Sequence, residues 1–268
     1  MRSINAEAMQ HAAMLNKVPA VTLTFWVIKI MSTTVGETGA DYLAVHVGLG
    51  TAVTDGIMAV LLLGALGLQL RSRRYVPGIY WLTVVLVSVV GTQITDALTD
   101  GLDVSLYLST TVFAIALAAT FAIWYAVERT LSIQTIVTRR RELFYWTAIL
   151  FTFALGTAAG DLATEALQLG FRLGVVVFGS LIALAALACY RGANPVLTFW
   201  IAYVLTRPLG ASLGDFLSQA QAYGGMGFGT VVTSAVFLVV IVALVAFLSI
   251  GTGGTGPHDE RTAATEDA

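Results

Sequence analysis

The stretch FWVIKIMSTTVGETGAD at residues 25–41 returns three times with the same landmarks, as YWLTVVLVSVVGTQITD at 80–96, YWTAILFTFALGTAAGD at 145–161 and FWIAYVLTRPLGASLGD at 199–215. Each copy opens with an aromatic residue followed by Trp26, Trp81, Trp146 or Trp200. Ten residues after the tryptophan stand Gly36, Gly91, Gly156 and Gly210, and fifteen after it Asp41, Asp96, Asp161 and Asp215. From the Gly and Asp content, one tryptophan meets both conditions by chance roughly once in three hundred, so four occurrences among five tryptophans establish an internal repeat.

The surroundings of these stretches place the repeat in lipid. Of 268 residues, 57% are apolar and only 11% charged, with a mean hydropathy of +0.83, whereas a water-facing surface of this size needs about a quarter charged residues. A net charge of -2 without a basic stripe excludes a nucleic-acid binder, and the single Cys189 excludes a disulfide scaffold. One cysteine and three scattered histidines also leave no haem or structural zinc signature, and no nucleotide-binding loop is visible.

A membrane span takes about 20 mostly apolar residues. Eight such stretches are expected, at about 18–43, 49–70, 76–99, 104–127, 143–166, 170–190, 195–218 and 227–250. The break from Glu128 to Glu142 is the only long one. Residues 1–16 are too polar for a signal peptide and form a leader; 17–250 form the membrane domain, with repeats at about 17–75, 76–140, 141–192 and 193–250; Gly251 to Ala268 are expected to be a disordered tail. Arg71, Arg73 and Arg74, then Arg129 and Arg139 to Arg141, then Arg191 fall in breaks on one side, which places both termini in the cytoplasm. The expected fold is all-α: a polytopic membrane protein of eight transmembrane helices in four tandem two-helix repeats. Two spans return the chain to its starting side, so the copies run in parallel sense.

On these Trp, Gly and Asp positions the chain resembles a poorly characterised family of bacterial membrane proteins built from four tandem repeats, each with two spans and a characteristic tryptophan. The resemblance covers about residues 17–250 and implies fold and a cell-membrane location. It implies no biochemical function, which has to come from the residues.

Tryptophan and aspartate fifteen apart on a helix are about 22 Å apart along its axis. The tryptophans are therefore expected to anchor the cytoplasmic interface as an aromatic belt, and the glycines to let helices approach closely. The aspartates resist so bland a reading, because a carboxylate inside a membrane is costly unless it meets a cavity or a partner. Second acids stand four residues from three of them: Glu37 before Asp41, Asp100 after Asp96 and Glu165 after Asp161, with Gln219 after Asp215.

Within the spans six acids (Glu37, Asp41, Asp55, Asp96, Asp161 and Asp215) face two bases, Lys29 and Arg207. Such an excess suits a hard cation or a proton relay. Lys29, Thr33, Glu37 and Asp41 share one helix face, and Arg207 precedes Pro208, whose missing N–H opens a helix beside a charge. Gating or charge balance is the expected role of Lys29, Arg207 and Pro208.

Two enzymatic patterns are decoys. Gly210 to Gly214 spells the serine-hydrolase elbow around Ser212, but His11, His46 and His258 lie outside the bundle, and the intramembrane aspartyl-protease signature is incomplete. A non-enzymatic, gradient-driven transporter of a small cation, either a divalent metal or a proton-coupled substrate, is therefore expected. It would use no cofactor beyond a transported ion, and its expected partners are the lipid bilayer and a small cation, with no nucleic acid. The alternative is a non-transporting membrane scaffold or sensor whose Arg139 to Arg141 cluster meets anionic lipid or a protein. No oligomeric state follows from the sequence.

Overall fold

A computed structural model describes residues 16–46 and 50–253. It contains eight long helices: α1 (Leu23–His46), α2 (Thr51–Arg71), α3 (Pro77–Thr99), α4 (Leu106–Glu128), α5 (Arg139–Asp161), α6 (Gly170–Tyr190), α7 (Pro195–Ser218) and α8 (Thr230–Gly253). All except α1 are long and apolar enough to cross a membrane. The exception is equally long but carries Lys29, Glu37, Asp41 and a run of hydroxyl residues.

Local chemistry sets most helix starts. Pro77 and Pro195 occupy first-turn positions, where no N–H is needed. The Ser105, Thr138 and Asn194 side chains accept from backbone amides of the first turns of α4, α5 and α7. Two boundaries differ from expectation for the same reason. Residues 18–22 are not helical, and α1 begins only after Thr22, whose hydroxyl accepts from the Phe25 amide. Thr138 starts α5 at Arg139 rather than 143, so the break after Glu128 is shorter than expected and contains a 3-10 turn, Ile133–Thr135. A π-helical turn, Leu162–Ala166, extends α5. The expected leader lies outside the described residues except for Asn16, whose amide donates to the Ile133 carbonyl at 3.2 Å. The expected tail lies outside them beyond Gly253, while 251–253 are the end of α8.

The odd helices form a closed inner ring, α1 against α3, α3 against α5, α5 against α7 and α7 against α1. Each even helix packs chiefly on the first helix of the next repeat: α2 on α3, α4 on α5, α6 on α7, and α8 back on α1. Burial follows these two layers. Of the apolar window of α3, 72% is buried, against 11% for α8, whose apolar side chains face outward where lipid would lie.

The repeat landmarks make the ring. Phe25 packs on Trp81, Tyr80 on Trp146, Tyr145 on Trp200 and Phe199 on Trp26, with ring centroids 5.5–6.3 Å apart, so an aromatic collar closes through all four helices. Trp81, Trp146 and Trp200 are buried and Trp26 half-buried. This corrects the expectation of an outward-facing belt: the indoles gain more by filling the crowded inter-helix space than by lining a lipid interface.

The glycines do what the sequence led us to expect. A Cβ on Gly36 would collide with Ser88, one on Gly91 would lie 2.6 Å from the Phe153 Cβ, one on Gly156 would collide with Arg207 and one on Gly210 with Thr33. In every case the intruding residue stands three before the glycine of the neighbouring repeat. Adding a methyl there overpacks the ring at a cost of about 1–3 kcal/mol. Gly91→Ala is therefore expected to lower the thermal midpoint of the detergent-solubilised protein. Gly64→Ala, where nothing lies within 4 Å, should leave it unchanged or slightly raised.

Candidate functional site: a charged axis through the inner ring

Residues four apart on the inner face of each odd helix form layers across the ring. Below the collar, the Tyr80 and Tyr145 hydroxyls meet at 2.5 Å. The next layer holds Lys29, fully buried, with its ammonium 3.8 Å from the Phe153 ring centroid and 4.3 Å from that of Tyr203. Lys29 Nζ has no hydrogen-bond acceptor among the described residues and lies over these two ring faces.

Arg207 occupies the centre. It is fully buried, and its guanidinium reaches every other inner helix. Nη1 donates to the Thr33 carbonyl of α1 at 3.0 Å. Nη2 donates to Glu37 Oε2 at 2.6 Å, to Thr157 Oγ1 of α5 at 2.8 Å and to Thr92 Oγ1 of α3. Glu37, Thr92 and Thr157 each stand one residue after a repeat glycine, so the three other repeats offer an oxygen from the same position. Gly156 provides the room, since a Cβ there would also lie 3.1 Å from Pro208 Cδ. A buried ion pair survives only with such extra hydrogen bonds, because desolvation of two charges costs several kcal/mol apiece.

The acids lie toward one end of this axis. Asp96 is half-buried, with Glu37, Asp41 and Asp100 as like-charged neighbours and Arg207 as the opposing charge. Asp41, Asp161 and Asp215 are half-buried and partnered within the protein. Asp100 caps α3 and is exposed. The backbone of Glu165 lies in the π turn, and its side chain lies outside the described residues. Gln219 is the C-cap of α7, with its backbone N–H donating to the Asp215 carbonyl at 2.9 Å, and the chain turns to extended geometry after it. Among the described residues no group of three or more His, Cys, Asp or Glu stands close enough to hold a metal ion. The structure thus gathers the acids of the first two repeats around Arg207 and does not draw all four repeat aspartates into a single cage.

A sequence profile described as "Repeat of Unknown Function (DUF347)" matches residues 24–75, 79–130, 144–193 and 198–251. The chain belongs to the DUF347 family. The four matched segments coincide with the four helix pairs, so the family unit is one inner and one outer helix. No curated protein and no solved structure matches the chain. Ser212 is buried in this DUF347 bundle, where a Cβ on Gly174 of α6 would lie 2.6 Å from its hydroxyl.

Sequence reasoning found Lys29, Arg207 and Glu37 but missed Thr92, Thr157 and Phe153. Their signal was present in the repeat alignment as the positions one after and three before each glycine. Removing one member of the central pair strands the other. Arg207→Met is expected to destabilise by about 3–5 kcal/mol. The Arg207→Met, Glu37→Gln double variant should recover much of that loss, and simple additivity in a thermal or denaturant double-mutant cycle would show that the two are uncoupled.

Proposed function

We propose that this DUF347 protein is a gradient-driven transporter of a small cation, with proton coupling through Glu37, and that the structure represents a closed state. All eight helices then cross the bilayer in four parallel repeats. Supporting this are contacts at matched levels, Phe25 against Trp81 and Gly36 against Ser88, which align α1 and α3 in one direction. The polar residues of α1 are turned inward, Lys29, Thr33 and Glu37 being buried, so its weaker apolar signal costs nothing at the lipid face. The Arg-rich breaks place both termini in the cytoplasm and the acidic end of the axis on the opposite side.

The observation that carries the reading is Arg207 bonded to Glu37 at the centre of the ring, both within electrostatic reach of Asp96, which has Asp41 and Asp100 as further acidic neighbours. A proton or cation drawn in by those acids competes with the guanidinium for the same carboxylate. Once Glu37 is neutralised, Arg207 loses its directly bonded carboxylate and keeps only neutral hydrogen-bond acceptors, with Asp96 as its remaining acidic neighbour, so its desolvation is less well offset. Pro208 lacks the amide that would tie it to the preceding turn, so α7 has a defined point at which to yield.

The scaffold reading draws on the Arg139 to Arg141 cluster, in which Arg140 and Arg141 share Glu128 at 2.5 and 2.7 Å and the cluster keeps a net positive charge. The test is proton movement into proteoliposomes loaded with a pH dye, on addition of Na⁺, K⁺, Mg²⁺, Mn²⁺ or methylammonium. At least one cation is expected to drive a signal that Glu37→Gln and the variant with Asn at positions 41, 96, 161 and 215 reduce to the protein-free leak. No signal from any cation would return the weight to a scaffold.

A further inference from the structure

The same inter-repeat groove occurs at two places on the outside of the ring, and the two are unequal. Between α2 and α5 it is lined by Leu66, Leu70, Leu143, Trp146, Thr147 and Leu150 and encloses only 140 Å³. Between α4 and α7 the repeat-equivalent residues are Phe121, Tyr125, Leu197, Trp200, Ile201 and Val204, and the cleft measures 640 Å³.

The difference lies at the polar end. In the small groove Glu142 is fully buried and accepts from Lys17 Nζ at 2.6 Å and Gln69 Nε2 at 3.2 Å, while Lys17 also reaches the Leu70 carbonyl. The segment entering α1 therefore closes that mouth. In the large cleft the position of Glu142 is taken by Val196, and the polar end is formed by Arg129, Thr130 and Asn194. Arg129 is exposed, held by a left-handed backbone (φ 57°) at the end of α4, and forms no ion pair among the described residues. Asn194 is already committed to capping α7.

We propose that this cleft binds one anionic phospholipid, with its phosphate on Arg129 and an acyl chain lying along Trp200, Ile201 and Val204. The charge order argues for that occupant. The Arg129 guanidinium stands at the polar mouth, the wall beyond it is apolar, and Leu197 and Ile201 are open to the lipid side. A zwitterionic lipid would supply the chain but meet Arg129 with no net charge. The Trp200 indole is steadied from behind by its hydrogen bond to the Leu131 carbonyl at 2.9 Å, so the chain-binding wall is preformed. This inference does not depend on transport, since the cleft lies outside the ring that holds Arg207.

The test is native mass spectrometry of the full chain titrated with phosphatidylglycerol and, separately, phosphatidylcholine of identical acyl chains. One phosphatidylglycerol is expected to bind about fivefold more tightly than phosphatidylcholine. Arg129→Ala should abolish that preference while acyl binding persists, and Ile201→Trp, which fills the cleft from an exposed position, should weaken both lipids. Quenching by bromine placed on the phosphatidylglycerol chain should fall when Trp200→Phe removes the reporter. Equal affinity of the unaltered protein for the two lipids would overturn the proposal. So would a preference that survives Arg129→Ala, binding untouched by Ile201→Trp, or a dimer mass in place of lipid adducts.

Discussion

Arg207 needs four helices at once. Its Nη1 and Nη2 atoms are bonded only because α1, α3 and α5 each bring an oxygen to the point where α7 places them. A buried charge of this kind is intolerant of a missing neighbour, since each lost acceptor leaves a desolvated donor. The inner ring consequently cannot open at any one of its seams without exposing the cost of that charge. Lys29 extends the constraint one layer toward the collar, where aromatic faces stand in for hydrogen-bond acceptors.

Ring closure itself comes from a contact made four times. Each repeat offers a glycine and an aromatic residue to its neighbour, and each neighbour fills the slot with a different side chain: Ser88, Phe153, Arg207 and Thr33. Without a hydrophobic drive between helices in lipid, such close approach is what makes van der Waals contact worth forming. Near-symmetry of backbone thus coexists with asymmetry of chemistry. Three slots are filled by uncharged side chains and one by the Cβ and Cγ of Arg207, whose guanidinium then reaches the ring interior. The outer helices follow the same forward step, and the two equivalent grooves are unequal in volume, with Val196 in the larger at the position that Glu142 holds in the smaller.

Much of the fold was legible because lipid demands long apolar segments and the repeat marks its own period. The helices at 51–71, 77–99, 170–190 and 195–218 lie within two residues of the expected spans. The boundaries that moved, at Leu23 and Arg139, were decided by capping hydroxyls of Thr22 and Thr138 rather than by hydropathy. The candidate site was legible in part. Glu37, Asp41, Asp96 and Arg207 stood out as charges in apolar segments, and the structure brings them together. Asp161 and Asp215 carry the same sequence mark, yet they are not among the charged neighbours of Asp96.

By itself the sequence determined the membrane setting, the four-part repeat and which residue types must be buried, because composition and periodicity are properties of the chain alone. Only the tertiary structure decided that α8 closes on α1, that the tryptophans turn inward, and that Thr92 and Thr157 serve Arg207. A repeat alignment shows which positions are equivalent but not which neighbour each one meets. That depends on how far glycines let the helices approach, which is settled by packing across the ring rather than along the chain.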